Sequence, residues 1–133
     1  MDSRVTQDGT APARLLFLDD DALARKSWVR LGREHGVLVV AVATPDEVRA
    51  ALRPGGVSFQ AVLCDFHLKW IHARLTSEAL VRELLAKGVS VAVLSADVEA
   101  VEDIFGTEAP IFCKSEWERV FRSFDAERGW VSY

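Results

Sequence analysis

The chain has 133 residues, of which 50% are hydrophobic and 27% are charged, and its formal net charge is -4. This length allows one domain with a substantial core and is too short for two ordinary domains. The mildly acidic balance gives no general attraction for nucleic acid or for an anionic membrane surface. The longest apolar runs fall far below the roughly 20 residues that a membrane span needs, so we expect a cytoplasmic protein without membrane association.

The two ends of the chain are predicted to lie outside the folded domain. Residues 1–12 are polar and lack the apolar segment of a secretory signal, which predicts a flexible N-terminal tail. We expect the domain to cover residues 13–128 and a short C-terminal tail to cover residues 129–133.

Five short apolar runs alternate with longer amphipathic segments. Apolar residues in the runs are nearly continuous, which is typical of parallel strands buried on both faces. The predicted strands cover residues 15–18, 37–42, 61–64, 89–94 and 111–113. Five such β–α units with short connections predict one α/β domain of the doubly wound, flavodoxin-like class, a three-layer sandwich around a five-stranded parallel sheet.

Helix-start signals follow several of these strands. Thr44 is a predicted N-cap, with Pro45 in the first turn and Glu47 at the capping-box position. Asp21 is predicted to begin the first helix, whose positive end favours a carboxylate. The later predicted helices lie in segments 76–88, 97–106 and 115–127.

Polar residues follow four of the five predicted strands. Asp19 and Asp20 come after the first strand, Asp65 after the third, Ser95 after the fourth and Lys114 after the fifth. Functional residues of doubly wound sheets collect at the carboxyl ends of the strands. We therefore expect these side chains to share one edge of the sheet.

This set of side chains suits phosphoryl transfer to a carboxylate. Clustered carboxylates favour Mg²⁺, which binds one or two protein carboxylates together with substrate phosphate. A carboxylate is also a nucleophile toward phosphorus, and the transferred group needs positioned cations and donors. The predicted roles are phosphoryl acceptor for Asp65, metal-site acids for Asp19 and Asp20, phosphate-oxygen donor for Ser95 and counter-ion for Lys114.

The segments FLDDD, LCDFHL, LSA and CKS occur in this order between Arg14 and Glu127. Together they resemble the receiver domain of bacterial two-component response regulators. The resemblance implies strand order 2-1-3-4-5 and a single-domain phosphoacceptor that is not an enzyme. It also implies charging by a histidine kinase or phosphotransfer protein, signalling through contacts with a downstream protein, and a Mg²⁺ ligand at the backbone carbonyl of His67.

The chain also departs from the receiver pattern. The loop after Asp65 lacks the usual proline and glycine, and Ser115 follows Lys114 where receivers have proline. The position of the family's switch aromatic holds Ile111, while alternation along the strand directs Phe112 to the opposite face. The short segment from 95 to 114 predicts a reduced fourth helix.

Two other functions stay open from the sequence. The segment FLDDDAL also resembles the nucleophile motif of haloacid-dehalogenase-type phosphatases, with Asp19 as nucleophile and Asp21 as acid/base. That interpretation lacks the expected acidic pair after the lysine and gives Asp65 no role. The altered loops favour a third candidate, a receiver-like binding module that does not depend on phosphate.

Two further pairs of residues lie close to the predicted site in sequence. His67 and Asp97 stand two residues past Asp65 and Ser95, where the resemblance implies an influence on the lifetime of the aspartyl phosphate; ordinary solvated side chains are the alternative. Cys64 and Cys113 form no CxxC pair, which excludes the usual zinc-site spacing. We expect both to be free thiols directed into the packed layers.

Overall fold

A five-stranded parallel sheet forms the centre of the computed structural model, which describes residues 12–66 and 71–131. Its strands are β1 (Ala13–Leu18), β2 (Val37–Val42), β3 (Ala61–Asp65), β4 (Val91–Ser95) and β5 (Ile111–Cys113). They lie in the order β2-β1-β3-β4-β5 with every neighbouring pair parallel. The predicted fold class and strand order are confirmed.

Helices follow each strand and cover both faces of the sheet. They are α1 (Ala22–Glu34), α2 (Pro45–Ala51), α3 (Ile71–Ala86), α4 (Val98–Phe105) and α5 (Trp117–Arg122). The fourth helix has eight residues, in agreement with its predicted reduction. Among the described residues, no helix combines the length and apolar character that a membrane crossing requires.

Alternating side chains of the strands divide the core into two layers. In β1, Leu16 and Leu18 face one layer, and Leu15 and Phe17 face the other. The first layer is completed by buried side chains of α2, α3 and α4, namely Val48, Leu80, Val81, Leu84, Val101 and Phe105. The second layer is completed by buried side chains of α1 and α5, namely Trp28, Val120 and Phe121. The sheet is therefore covered on both faces, as its apolar strands require.

Local capping fixes where α1 and α2 begin. The Asp21 carboxylate accepts a hydrogen bond from the Leu23 backbone N–H. The Thr44 hydroxyl oxygen accepts from the Glu47 N–H at 3.2 Å, and the Glu47 carboxylate accepts from the Ala43 N–H at 3.1 Å. Each cap satisfies backbone donors that the first helical turn leaves without an intrahelical partner, and each is worth about 1 kcal/mol.

A short antiparallel hairpin follows α5. Its strands are β6 (Phe124–Asp125) and β7 (Gly129–Trp130). The Trp130 indole N–H donates to the Val62 carbonyl oxygen at 3.0 Å, and its backbone N–H donates to the Ser90 hydroxyl oxygen at 3.0 Å. The sequence-based boundary assigns residues 129–133 to a tail, whereas Gly129 and Trp130 pack onto the domain because these bonds anchor them.

Candidate functional site

Asp19 lies at the carboxyl end of β1 and takes part in hydrogen bonds with Val42, Asp21 and Arg25. Its backbone N–H donates to the Val42 carbonyl at 3.0 Å, which extends the pairing of β1 with β2 by one bond. Its Oδ1 accepts from the Asp21 N–H at 2.9 Å, and its carbonyl oxygen accepts from Nη1 of Arg25 at 2.9 Å. Asp19 is buried, so these contacts fix both its backbone and its carboxylate.

The structure brings together three of the predicted acids. Asp19, Asp20 and Asp65 each offer a carboxylate oxygen, and these oxygens all lie within 4.8 Å of one another. Asp19 and Asp65 are buried, whereas Asp20 is exposed. The cluster therefore has two interior acids and one acid at its solvent-facing side.

The Asp65 carboxylate lies next to a lysine ammonium. Nζ of Lys114 is 2.8 Å from Oδ1 of Asp65, whose side chain is 1% exposed, against 38% for that of Lys114. The Lys114 backbone N–H donates to the Ser95 carbonyl at 3.1 Å, which fixes the start of the lysine side chain beside β4. The ammonium group offsets part of the repulsion that a second and third carboxylate impose on Asp65.

Ser95 lies at the carboxyl end of β4 and is buried. Its hydroxyl oxygen accepts from the Asp97 N–H at 3.0 Å, and the hydroxyl is 3.3 Å from the Asp97 carbonyl oxygen. The Asp97 carboxylate in turn accepts from the Ala100 N–H at 3.1 Å and caps α4. Asp97 thus has a structural role, and its influence on phosphate lifetime stays a prediction. His67 and its predicted metal ligation lie outside the described residues.

The two cysteines are free thiols in different environments. Cys64 is fully buried, and desolvation, followed by the charge of Asp65, raises its pKa to about 12. Cys113 is partly exposed, and hydrogen bonding to Ser115 lowers the pKa of its thiol. The predicted burial is confirmed for Cys64 and holds only in part for Cys113.

The departures after β4 are visible in the structure. Phe112 is buried in the second core layer, and Ile111 packs against the first layer, which confirms that the two point to opposite faces. The bond between Lys114 and Ser115 is trans, since the described residues contain no cis peptide bond. Ile111, at the position where the sequence resemblance implies an aromatic residue, therefore presents an aliphatic side chain.

Two residues near the site were missed in the sequence. Arg25 contacts the Asp19 carbonyl oxygen from the first turn of α1, six residues along the chain, and the sequence carries no signal for this contact. Phe66 follows Asp65 directly, is buried and packs edge-to-face against Phe105 of α4, with ring centroids 5.6 Å apart. An apolar residue directly after the acidic strand end could have indicated this burial.

The fold was compared with known proteins. No family model matches the chain, and no curated protein matches its sequence. A response regulator receiver protein from Pseudomonas putida superimposes with a TM-score of 0.68 at 20% identity, over 85% of this chain and 95% of that chain. TrrA, a response regulator protein from Thermotoga maritima solved with Mg(2+)-BeF, gives 0.62 at 16% identity, over 83% and 97% of the two chains.

A third solved structure extends the comparison. It is TrrA in complex with the histidine kinase ThkA, with a TM-score of 0.65 and 17% identity over 83% of this chain and 96% of that chain. At these identities the similarity establishes architecture. The chain therefore has the fold of the response regulator receiver domains, across nearly their whole length.

Proposed function

We propose that this chain is a phosphoacceptor receiver domain of a two-component phosphorelay, in which Asp65 accepts a phosphoryl group from a histidine kinase or phosphotransfer protein. One juxtaposition carries the proposal: a buried carboxylate with an ammonium group 2.8 Å away and two further carboxylates beside it. All of these groups lie at the carboxyl edge of a sheet with receiver topology. Around a phosphorylated aspartate, the acid pair would bind a metal ion and the lysine would neutralise phosphoryl charge.

The chemistry of the acidic cluster fits Mg²⁺ as the cofactor. Its ligand atoms are all carboxylate oxygens, which are the hard ligands that Mg²⁺ prefers. Asp19, Asp20 and Asp65 would hold the ion, and His67 is a predicted fourth contributor through its carbonyl. When bound, the ion neutralises charge on the incoming phosphoryl oxygens and on the acids themselves. A bound cation would also offset the mutual repulsion of the three carboxylates.

Asp65, Lys114 and Ser95 have separate roles in the phosphoryl transfer. A carboxylate oxygen of Asp65 attacks the phosphorus of a phosphohistidine; the new P–O bond forms as the P–N bond breaks, and the imidazole leaves with the electron pair and takes a proton. Lys114 supplies positive charge to the phosphoryl group. Ser95 donates a hydrogen bond to it after its hydroxyl leaves the Asp97 carbonyl, a contact near the long limit at 3.3 Å.

The proposed domain signals through protein contacts and does not turn over a substrate. TrrA, which shares the fold, was solved with the histidine kinase ThkA, and this supports a kinase as the partner that charges Asp65. We place this exchange in the cytoplasm. The downstream partner would recognise a surface whose change does not depend on an aromatic switch, since Ile111 occupies that position.

The two alternatives are less well supported. A phosphatase would need Asp21 as acid/base, but its carboxylate accepts from the Leu23 N–H and caps α1. It would also leave the ion pair of Asp65 and Lys114 without a purpose. A phosphate-independent binding module has no need of converging carboxylates, whose mutual repulsion only lowers stability.

A mass-spectrometric experiment tests the proposal. The protein is incubated with Mg²⁺ and acetyl phosphate, and its intact mass is followed over time. We expect the wild type to gain one phosphoryl group, to lose it slowly, and to gain none without Mg²⁺. The Asp65→Asn variant should gain none, because an amide is not a nucleophile toward phosphorus.

The control variants separate the three functions. Asp21→Asn should be phosphorylated like the wild type, because asparagine caps a helix as well as aspartate does. Phosphate release that persists in Asp65→Asn and disappears in Asp19→Asn would establish the phosphatase instead. If the wild-type protein never gains mass and shows no response to Mg²⁺ or beryllofluoride, the phosphate-independent binding module is the remaining function.

A further inference from the structure

We propose that Arg25 is a positioning residue for the metal site, holding Asp19 in the orientation that binds Mg²⁺. The inference rests on the proposed function, since it concerns the same site. Nη1 of Arg25 donates to the Asp19 carbonyl oxygen at 2.9 Å from one helical turn into α1. Arg25 is partly buried, so this charged hydrogen bond is shielded from water on one side.

The bond completes the restraint on the β1–α1 connection. The Asp19 N–H is held by β2 through the Val42 carbonyl, and Oδ1 is held by the Asp21 N–H. The Arg25 N–H donates to the Asp21 carbonyl at 3.0 Å, so Arg25 also belongs to the first turn of α1. Its guanidinium therefore ties the backbone of Asp19 to the helix that follows.

Charge and geometry predict opposite effects of removing Arg25, and this makes the inference testable. A fixed positive charge bonded to the Asp19 carbonyl repels an incoming Mg²⁺, so a purely electrostatic arginine would weaken Mg²⁺ binding and its removal would strengthen it. A positioning arginine has the reverse effect, because the loss of a partner that orients a metal ligand weakens metal binding 10–100-fold in typical cases. We infer that geometry dominates here.

The test is the Mg²⁺ affinity of the full chain, measured by calorimetry and by the NMR amide shifts of residues 19–21. Arg25→Met keeps the length of the aliphatic stem and removes the donor. We expect it to bind Mg²⁺ about tenfold more weakly than the wild type. Arg25→Lys keeps a long donor and should restore most of the affinity.

Lys26→Met is the matched control, because it removes the same charge from the next residue of α1, which is exposed. We expect its affinity to equal or slightly exceed that of the wild type. Thermal unfolding without Mg²⁺ verifies that each variant is folded. Equal or tighter binding by Arg25→Met would overturn the positioning role while leaving the metal site intact. A wild-type chain that binds no Mg²⁺ would overturn the metal site itself and this role with it.

Discussion

Three consecutive carboxylates at the end of β1 lie in three different environments. Asp19 is buried and restrained by three hydrogen bonds, and Asp20 is exposed but within 4.8 Å of two other carboxylates. Asp21 caps α1 through the Leu23 N–H. Asp19 and Asp20 therefore share one carboxylate cluster with Asp65, whereas Asp21 begins the helix.

Asp20 and Asp21 should respond differently to substitution by asparagine. Asp20→Asn removes one charge from the carboxylate cluster, so we expect the rise in melting temperature on adding Mg²⁺ to shrink. A ligand at 100 times its dissociation constant stabilises a fold by about 2.7 kcal/mol, and weaker binding reduces this amount. Asp21→Asn preserves the cap and should keep the full rise. Equal responses of the two variants, measured by calorimetric scans with and without Mg²⁺, would contradict the separate roles.

The two thiols should also differ in reactivity. Cys64 is buried with a pKa of about 12, so at pH 9 only about a thousandth of it is thiolate. The Cys113 thiol is partly exposed and its pKa is lowered by Ser115, so its thiolate is populated at lower pH. We expect iodoacetamide to modify the native chain once, at Cys113, and Ser115→Ala to slow this reaction near neutral pH. Peptide mapping checks the position, and modification of Cys64 before unfolding would contradict its burial.

At the scale of elements, capping explains several boundaries, including one that the sequence misplaces. Residues 89 and 90 fall in a predicted strand, yet β4 begins at Val91. The Val89 N–H donates to the Leu84 carbonyl and the Gly88 N–H to the Leu85 carbonyl, with Gly88 at φ +76°. This is the Schellman pattern, in which the apolar residue after the glycine packs on its own helix. The apolar side chain of Val89 therefore belongs to the C-terminal motif of α3 and does not mark the start of β4.

The start of α3 was also misplaced. The apolar spacing predicts the third helix over residues 76–88. The helix begins at Ile71, so Thr76 lies within it, where threonine costs only a fraction of a kcal/mol. The cap predicted at Thr44, where proline and glutamate accompany the threonine, is confirmed.

Strand periodicity cannot predict the β6–β7 hairpin, because strands of two residues are too short to show an alternating pattern. Its signal was in the turn. The Asp125 carboxylate accepts from the Glu127 and Arg128 N–H groups, and Gly129 adopts φ +78°. An aspartate followed by a glycine in the left-handed region is typical of a three-residue hairpin loop. The hairpin packs Trp130 against the second core layer.

Trp130 should make a large contribution to stability. Its ring packs against Phe112 and Phe124, with centroids 5.4 and 5.7 Å away, and its indole N–H bonds to Val62. We expect Trp130→Ala to lower the free energy of unfolding in urea by about 3 kcal/mol. Trp130→Phe keeps most of the apolar surface and should lose about 1 kcal/mol, the value of the hydrogen bond. A truncation after Arg128 with unchanged stability would mean that the hairpin is dispensable.

At the scale of the whole molecule, the sheet topology explains why the site residues at the strand ends could be predicted from the sequence. The carboxyl ends of parallel strands meet at one edge, so the residues after four apolar runs become neighbours once the strand order is known. The strand ends predict that Asp19, Asp20, Asp65, Ser95 and Lys114 share one edge of the sheet. The structure brings the first three together and places Lys114 against Asp65. Side chains that reach the site from within helices, such as Arg25, depend on helix orientation, which apolar runs do not encode.

Topology also bears on how a signal would leave the site. Phe66, which follows β3, contacts Phe105 of α4, and Arg82 of α3 lies over the same Phe105 ring at 5.3 Å. Phe66 thus packs against α4, and the Phe105 ring that it contacts also carries a cation–π contact from Arg82 of α3. Under the proposed function, the Phe66–Phe105 contact is a candidate route from the residue after Asp65 to α4.

The identity of the phosphorylated residue is the central claim, and one measurement tests it directly. The protein is treated with acetyl phosphate and Mg²⁺ and then reduced with borohydride, which converts an aspartyl phosphate to homoserine, and the digested peptides are sequenced by mass spectrometry. The account predicts homoserine at position 65, with aspartate unchanged at positions 19, 20 and 21. Homoserine at position 19, or intact aspartate at all four positions despite bound Mg²⁺, would contradict it.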